Sequence, residues 1–394
     1  MEELGICDGN GGDVCGECIG DPALADFISE HASAKRCVYC ETKSDEPLAV
    51  PLDEVVHFMA EVIKEEWTTP ENELPWDSED KDYVGETLDA SELFEAIGYE
   101  PQNGDLLNDI LSYFSEHEWC QRDHLGTTPS ERYKSGWNRF CKEVMFFRRY
   151  TFWDSLDDGY PEYHPDHLPP GEMLGELKSV IDDMGLICQA PKGTKYWRVR
   201  DHAPSATPTM PSGFTSPPLL KAKQPNRMSP AGISMFYGAE DFDTAVLEVA
   251  GKDAISDRVA TGVLFEAQRS LNVLDLASML KPVSYFAPQG REWGHNATFF
   301  WYFAKDLSKP IDRAERQHID YVPTQVFTEY VRFHLTSQCK PVDGIRYRSA
   351  QNHHPCVVLF FDQDDCLKSQ EGRPQALAYI PGSEQTVSLN TPRK

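Results

Sequence analysis

The chain has 394 residues, 40% of them hydrophobic and 11% aromatic, and its 64 Asp and Glu against 37 Lys and Arg give a formal charge of −27. That apolar content suits a globular chain with room for two or three domains rather than a disordered one. The acidic balance excludes a general nucleic-acid or anionic-membrane binder, because phosphate surfaces attract Lys/Arg-rich ones.

The first residues, MEELGICDGN, are acidic and lack the apolar core of a secretory leader, and no run of eighteen apolar residues follows anywhere. Eleven cysteines in such a chain point to a reducing compartment, so a soluble cytoplasmic protein is expected. Five of them fall in the first forty residues, including CGEC at 15–18 and CVYC at 37–40. Two C-x-x-C knuckles at this separation suit a four-thiolate zinc site made of Cys15, Cys18, Cys37 and Cys40. Four thiolates leave no open position for water, so the expected role is structural. Cys7 and His31 are the alternative ligands.

From about residue 48 to Gly185 the apolar pattern repeats every 3.6 residues. Leu52, Val55, Val56, Met59, Val62 and Ile63 form one stripe behind Pro51, and Leu106, Leu107, Ile110, Leu111 and Phe114 a second. Tyr133, Trp137, Phe140, Cys141, Val144 and Phe147 form a third, starting at TTPSE, and Leu174, Leu177, Ile181 and Met184 a last one stopped by Gly185. A helical bundle over 46–185 is expected. Nineteen Asp and Glu against three lysines between Glu41 and Glu100 read as its solvated faces. His164 and His167, in the proline-rich YHPDHLPP, read as a solvated connector rather than a metal pair.

After Gly185 the texture changes to short strands: 195–200, 233–238, 261–266, 271–275, 344–349 and 356–361. Helices fall between them at 241–251, about 296–308 and 325–338. This pattern predicts an α+β domain over 186–365, with 1–45 as a zinc segment, 46–185 as the helical domain and 366–394 as a tail. A P-loop, a G-x-G-x-x-G turn after a strand and a G-x-S-x-G elbow are all missing. One residue stands out: Glu248 lies among Ala245, Val246, Leu247, Val249 and Ala250, on a helix otherwise apolar all round. An unpaired carboxylate buried there is costly, so a function or an arginine partner is required.

YWRVR on the first strand, then NRMSPAGISMFYGA, DFDTAVLEV, YVPTQ and DGIRYRSA, resembles the RES domain family over about residues 190–362. The knuckles and helices before it resemble the HEPN-like segment that precedes some RES domains. The resemblance implies an ADP-ribosyltransferase-like fold and cleavage of NAD⁺ at the nicotinamide–ribose bond, with phosphate or water as acceptor. It also implies catalytic roles for Glu248, Arg198 and Arg227, and contact of Arg198, Arg227 and Tyr237 with the dinucleotide. Arg200 shares a strand face with Arg198, since strand side chains repeat every two residues; the family pattern favours Arg198.

The family's serine maps either to Thr324, in YVPTQ, or to Ser349, in DGIRYRSA, with Gln325 as a companion; Asn226 replaces the commoner glycine before the arginine. His353 and His354 are given no role. Such an activity would poison its own cell, so an antitoxin or regulatory partner, or cover by the acidic front domain, is implied alongside NAD⁺ and phosphate. A homo-oligomer fits equally. The alternatives are ADP-ribosyl transfer to a macromolecule and a nucleotide-binding module without turnover.

Overall fold

The computed structural model describes the chain apart from residues 1–5, 8, 10, 80, 102, 123–125, 155–167, 252–256, 279, 281–282, 310–315, 368–374 and 391–394. It divides into two compact units, Met1–Thr128 with Lys281–His295, and Pro129–Leu280 with Asn296–Lys394. No helix among the described residues is long and apolar enough to cross a membrane.

In the first unit, β1 (Asp13–Cys15) pairs antiparallel with β2 (Ala49–Pro51). Four main helices surround them: α1 (Pro22–His31), α2 (Leu52–Ile63), α3 (Ala90–Ala96) and α4 (Gly104–Phe114). Each start has a local cause. Asp21 accepts hydrogen bonds from the Ala23 and Leu24 amides, Asp89 and Glu92 form a capping box, and Asn103 accepts from Asp105 and Leu106. Leu52, Val55, Val56, Met59 and Ile63 of α2 are fully buried, as their spacing predicts. They share one core with Val14, Ile19 and the knuckle residues Cys15, Cys18 and Cys37. The expected separate zinc segment over 1–45 is therefore part of the same body as these helices.

A segment from the C-terminal half joins this unit. Phe286 enters the core edge-on to Tyr99 at 5.5 Å, and Ser284 Oγ donates to Asp21 Oδ1 at 2.7 Å. Glu66 receives the Tyr285 hydroxyl at 3.0 Å on one carboxylate oxygen and His295 Nε2 at 3.2 Å on the other. Arg291 donates to the Val62 carbonyl at 3.1 Å and pairs with Glu65.

The second unit holds a nine-stranded sheet. Its strands are β3 (Ile187–Ala190), β4 (Lys195–His202), β5 (Phe236–Ala239), β6 (Val259–Ala267), β7 (Leu271–Asp275), β8 (Gly344–Arg348), β9 (Pro355–Leu359), β10 (Leu377–Tyr379) and β11 (Gln385–Ser388). The spatial order is β10-β6-β4-β5-β9-β8-β7-β3, with β11 also on β6. Every pairing is antiparallel except β7 with β8. The α+β class expected from the strand pattern is thus present. Residues 377–388, expected as a tail, instead complete the sheet through a turn at Gly382, whose φ of +79° favours glycine.

Helices α5 (Pro129–Phe146) and α6 (Met173–Asp183) belong to this second unit, so the helical domain expected over 46–185 is divided. The reason is aromatic packing. Trp137 and Phe140 of α5 join Phe299 and Phe303 of α8 (Gly290–Leu307) and Phe327 of α9 (Val322–His334) in one core. Trp137 lies 4.9 Å from Phe303, which lies 4.9 Å from Phe327, and Trp137 Nε1 donates to Asp306 Oδ2 at 2.8 Å. A second core, with Tyr196, Phe236, Val263, Phe265 and Leu359, contains the residues that alternate with it along the strands.

The Glu66 contacts set an acid sensitivity for the first unit. Burial raises the Glu66 carboxyl, but the bonds from His295 and Tyr285 outweigh it and hold it below the usual 4.5. A depressed folded value contributes stability above the unfolded one, lost as pH falls through the folded one. Hydrogen exchange of residues 284–290 is therefore expected to accelerate below about pH 4.5, and Glu66→Gln should flatten that acid limb. An unchanged profile in the variant would assign the acid response to other carboxylates.

Candidate functional site

Strand β4 pairs with β6 over eight residues, yet meets β5 at a single pair, Trp197 with Ala239. Beyond that pair, the Tyr237 carbonyl accepts Arg198 Nη1 at 2.6 Å instead of a ladder amide. A cavity of about 650 Å³ is lined by both strands at this gap, within the size range of small-molecule sites.

Helix α7 (Phe242–Ala250) brings Glu248 to the cavity wall. Asp241 caps the helix, accepting the Thr244 amide at 2.8 Å and the Thr244 hydroxyl at 2.7 Å. Asn352 Nδ2 donates to that hydroxyl at 2.8 Å, and His354 Nδ1 lies 3.4 Å from Asp241, so the turn after β8 is tied to the helix start. This stitching places Ser349 against Glu248: the hydroxyl donates to Glu248 Oε1 at 2.5 Å and accepts the Gln351 amide at 3.1 Å. Ser349 itself is 0% exposed. Its contact is with the carboxylate, which is half-buried and faces the cavity.

Arg227 approaches from the turn between β4 and β5. Its guanidinium donates to the Leu307 and Lys309 carbonyls at 2.6 and 2.7 Å and lies 5.7 Å from the centre of the Tyr321 ring. Thr324 sits under that turn, and its hydroxyl donates to the Arg227 and Tyr321 carbonyls. Gln325 Nε2 reaches the Asn226 carbonyl at 2.8 Å. Neither Thr324 nor Gln325 lines the cavity; both fix the backbone that carries Arg227. Of the two hydroxyl residues matched to the family's serine, the structure brings Ser349 to Glu248 and Thr324 to the Arg227 turn.

Tyr237 shares a hydrogen bond of 2.9 Å with Ser229, and burial pushes its phenol up to about 12 despite that bond, so it is neutral near pH 7. Burial pushes the Arg198 guanidinium well down, and the charge of Arg200 adds to the effect. Sequence reasoning missed Tyr347, a buried phenol on the cavity wall whose pKa burial raises strongly. Its one signal is its spacing, two residues before Ser349, which marks it only once Ser349 is tied to Glu248. Lys221 and Lys223, also on the lining, sit in a proline-rich loop with no periodicity to mark them.

The four knuckle cysteines converge in the first unit, their sulfurs all within 4.8 Å of one another. Cys15 Sγ lies 3.7 Å from Cys40 Sγ, as does Cys18 Sγ from Cys37 Sγ. Tetrahedral zinc with 2.3 Å bonds requires sulfurs about 3.8 Å apart, so the set fits the ion. The alternative ligands lie elsewhere. Cys7 Sγ is 3.1 Å from the Ser112 carbonyl, and His31 Nδ1 is 2.8 Å from the Phe27 carbonyl. His164 and His167 lie outside the described residues.

Residues 30–158 match the family model HEPN/RES N-terminal domain 1, and residues 195–380 match the RES domain. Two consecutive stretches of the chain thus match a HEPN/RES N-terminal domain and a RES domain, each over less than half of its length. Comparison with curated proteins and with solved structures returned no match.

The cysteine geometry predicts about one zinc per chain by elemental analysis. A Cys18→Ser, Cys37→Ser double variant should lose it and expose residues 13–63 to proteolysis, because such metal binding is coupled to folding. Full zinc retention by the double variant would remove these cysteines from the metal site.

Proposed function

We propose that the cavity binds NAD⁺ and cleaves its nicotinamide–ribose bond, with inorganic phosphate or water as acceptor. The observation that carries this reading is the Glu248–Ser349 pair in a cavity whose arginines, among the described residues, bond only to carbonyls. Breaking the N-glycosidic bond sends its electron pair to the pyridinium nitrogen, releasing neutral nicotinamide and leaving a cation-like ribose. A carboxylate held in a site poor in water stabilises that charge better than one in bulk solvent. Ser349 fixes the rotamer of the carboxylate by donating to Oε1.

An oxygen of phosphate or water then bonds to the anomeric carbon. Phosphate as acceptor gives ADP-ribose phosphate, and water gives ADP-ribose with release of a proton. The guanidinium forks of Arg198 and Arg227 suit the pyrophosphate, and Tyr237, neutral near pH 7, offers a ring face for the nicotinamide. On this reading Glu248 is catalytic, while Ser349, Thr324 and Gln325 are positioning residues.

An activity of this kind depletes a central cofactor, which calls for restraint by a partner protein or by the N-terminal unit. Deleting the N-terminal unit would have to raise turnover for the second arrangement to hold.

The test is purified zinc-loaded protein mixed with NAD⁺, with and without phosphate, and products followed by mass. Glu248→Gln is expected to lower nicotinamide release by about a hundredfold or more, the size of effect seen when a charge-stabilising group is removed. Ser349→Ala should lower kcat more than it raises KM, since its contact is with Glu248. Full activity in Glu248→Gln would overturn the assignment. Labelled macromolecule in place of free product would redirect it to ADP-ribosyl transfer.

A further inference from the structure

Five cationic side chains line the cavity: Arg198, Arg200, Lys221, Lys223 and Arg227. Among the described residues, none of the five pairs with a carboxylate. The lining has two carboxylates, Glu248 and Asp201, and Asp201 is taken by Arg258 at 2.6 Å. In a chain with 64 Asp and Glu, a cavity left this positive is a specific arrangement.

The charge is concentrated on one side. Arg198 and Arg200 alternate along β4, so their side chains leave the same face of the strand. Arg200 has one long bond, 3.3 Å to the Thr215 carbonyl. Arg198 is 9% exposed, and its buried Nε has no hydrogen-bond partner. A buried N–H of a charged group left unpaired costs free energy that an anion recovers. Lys221 and Lys223 stand exposed on the loop beside them.

We propose that Arg200 and the 217–224 loop, with Arg198 shared between them and the pyrophosphate, form a phosphoryl subsite that takes a further phosphate dianion of a dinucleotide. The proposal rests on reading the cavity as a dinucleotide site. NAD⁺ presents two phosphate charges offset by its pyridinium, too few for five unpaired cations and Glu248. A further phosphoryl group supplies about 1.5 to 2 more negative charges at pH 7. The source that goes beyond the acceptor phosphate of the cleavage reaction is a 2′-phosphate on the adenosine ribose, as NADP⁺ carries.

The experiment is calorimetric titration of the full zinc-loaded chain carrying Glu248→Gln, which keeps the ligands intact, with NAD⁺, with NADP⁺, and with phosphate alone or in the presence of NAD⁺. The expected result is a dianion gain of about tenfold or more, as one charge-assisted bond supplies. NADP⁺ bound tighter than NAD⁺ by that factor assigns the subsite to the 2′-phosphate; saturable phosphate binding without an NADP⁺ preference assigns the ion to the acceptor position and overturns it. Adding Arg200→Gln should reduce the gain at least about fivefold, and Lys221→Gln with Lys223→Gln should reduce it further, with the circular dichroism unchanged. No NADP⁺ gain, or a gain that survives Arg200→Gln, overturns the subsite. The parent reading is judged separately, on the chain with Glu248 intact. NAD⁺ consumption without a dianion gain sinks only the subsite. An Arg200-dependent gain without consumption of either dinucleotide sinks only the cleavage.

Discussion

The cavity exists because one sheet pairing is left unfinished, and a buried guanidinium occupies the place. An uninterrupted ladder would continue from Trp197–Ala239 and set Arg198 opposite Gly238. Instead Arg198 Nη1 satisfies the Tyr237 carbonyl at 2.6 Å, and the two strands line an open space. The arrangement removes one orphan acceptor while creating one orphan donor, Arg198 Nε. A sheet closed by backbone bonds would be more stable locally and would have no site. A buried charge is costly where its donors lack acceptors, and on the proposed reading a ligand supplies one.

The remaining groups are held by capping and turn contacts. Asp241, Thr244 and Asn352 lock the start of α7 to the turn after β8, and this fixes Ser349 on Glu248 across 101 positions of sequence. Thr324 and Gln325 anchor the Asn226–Ser229 turn through its carbonyls, and this fixes Arg227. Two hydroxyl residues thus share the work of positioning: one acts on the carboxylate, the other on the arginine.

Local signals were legible in the sequence and long-range ones were not. The knuckle spacing pointed to a four-sulfur cluster, and the solitary carboxylate on an apolar helix pointed to the cavity wall, because both depend on neighbours within a few residues. Strand alternation placed Arg198 and Arg200 on one face for the same reason. The apolar stripe of α5 was equally clear, but a stripe does not name its partner: Trp137 and Phe140 find Phe299, Phe303 and Phe327, more than 150 residues away. The Ser284–Phe286 insertion in the first unit and the edge strands at 377–388 depend likewise on distant pairing. Tyr347 was missed for a different reason, since a tyrosine in a strand is ordinary until its neighbour two residues on is known to bond a carboxylate.

Charge makes the cavity more informative than its size. Nineteen of the carboxylates fall between residues 41 and 100, and the chain as a whole would repel an anionic ligand at long range. That repulsion is screened beyond about 8 Å at physiological salt, whereas guanidiniums in a partly dry site act over hydrogen-bond distances at lower dielectric. Recognition of an anion by this molecule must therefore come from the cavity's own contacts rather than from steering. Among the described residues these arginines bond to carbonyls alone, and on the proposed reading the number of phosphoryl groups in the ligand is what the site distinguishes.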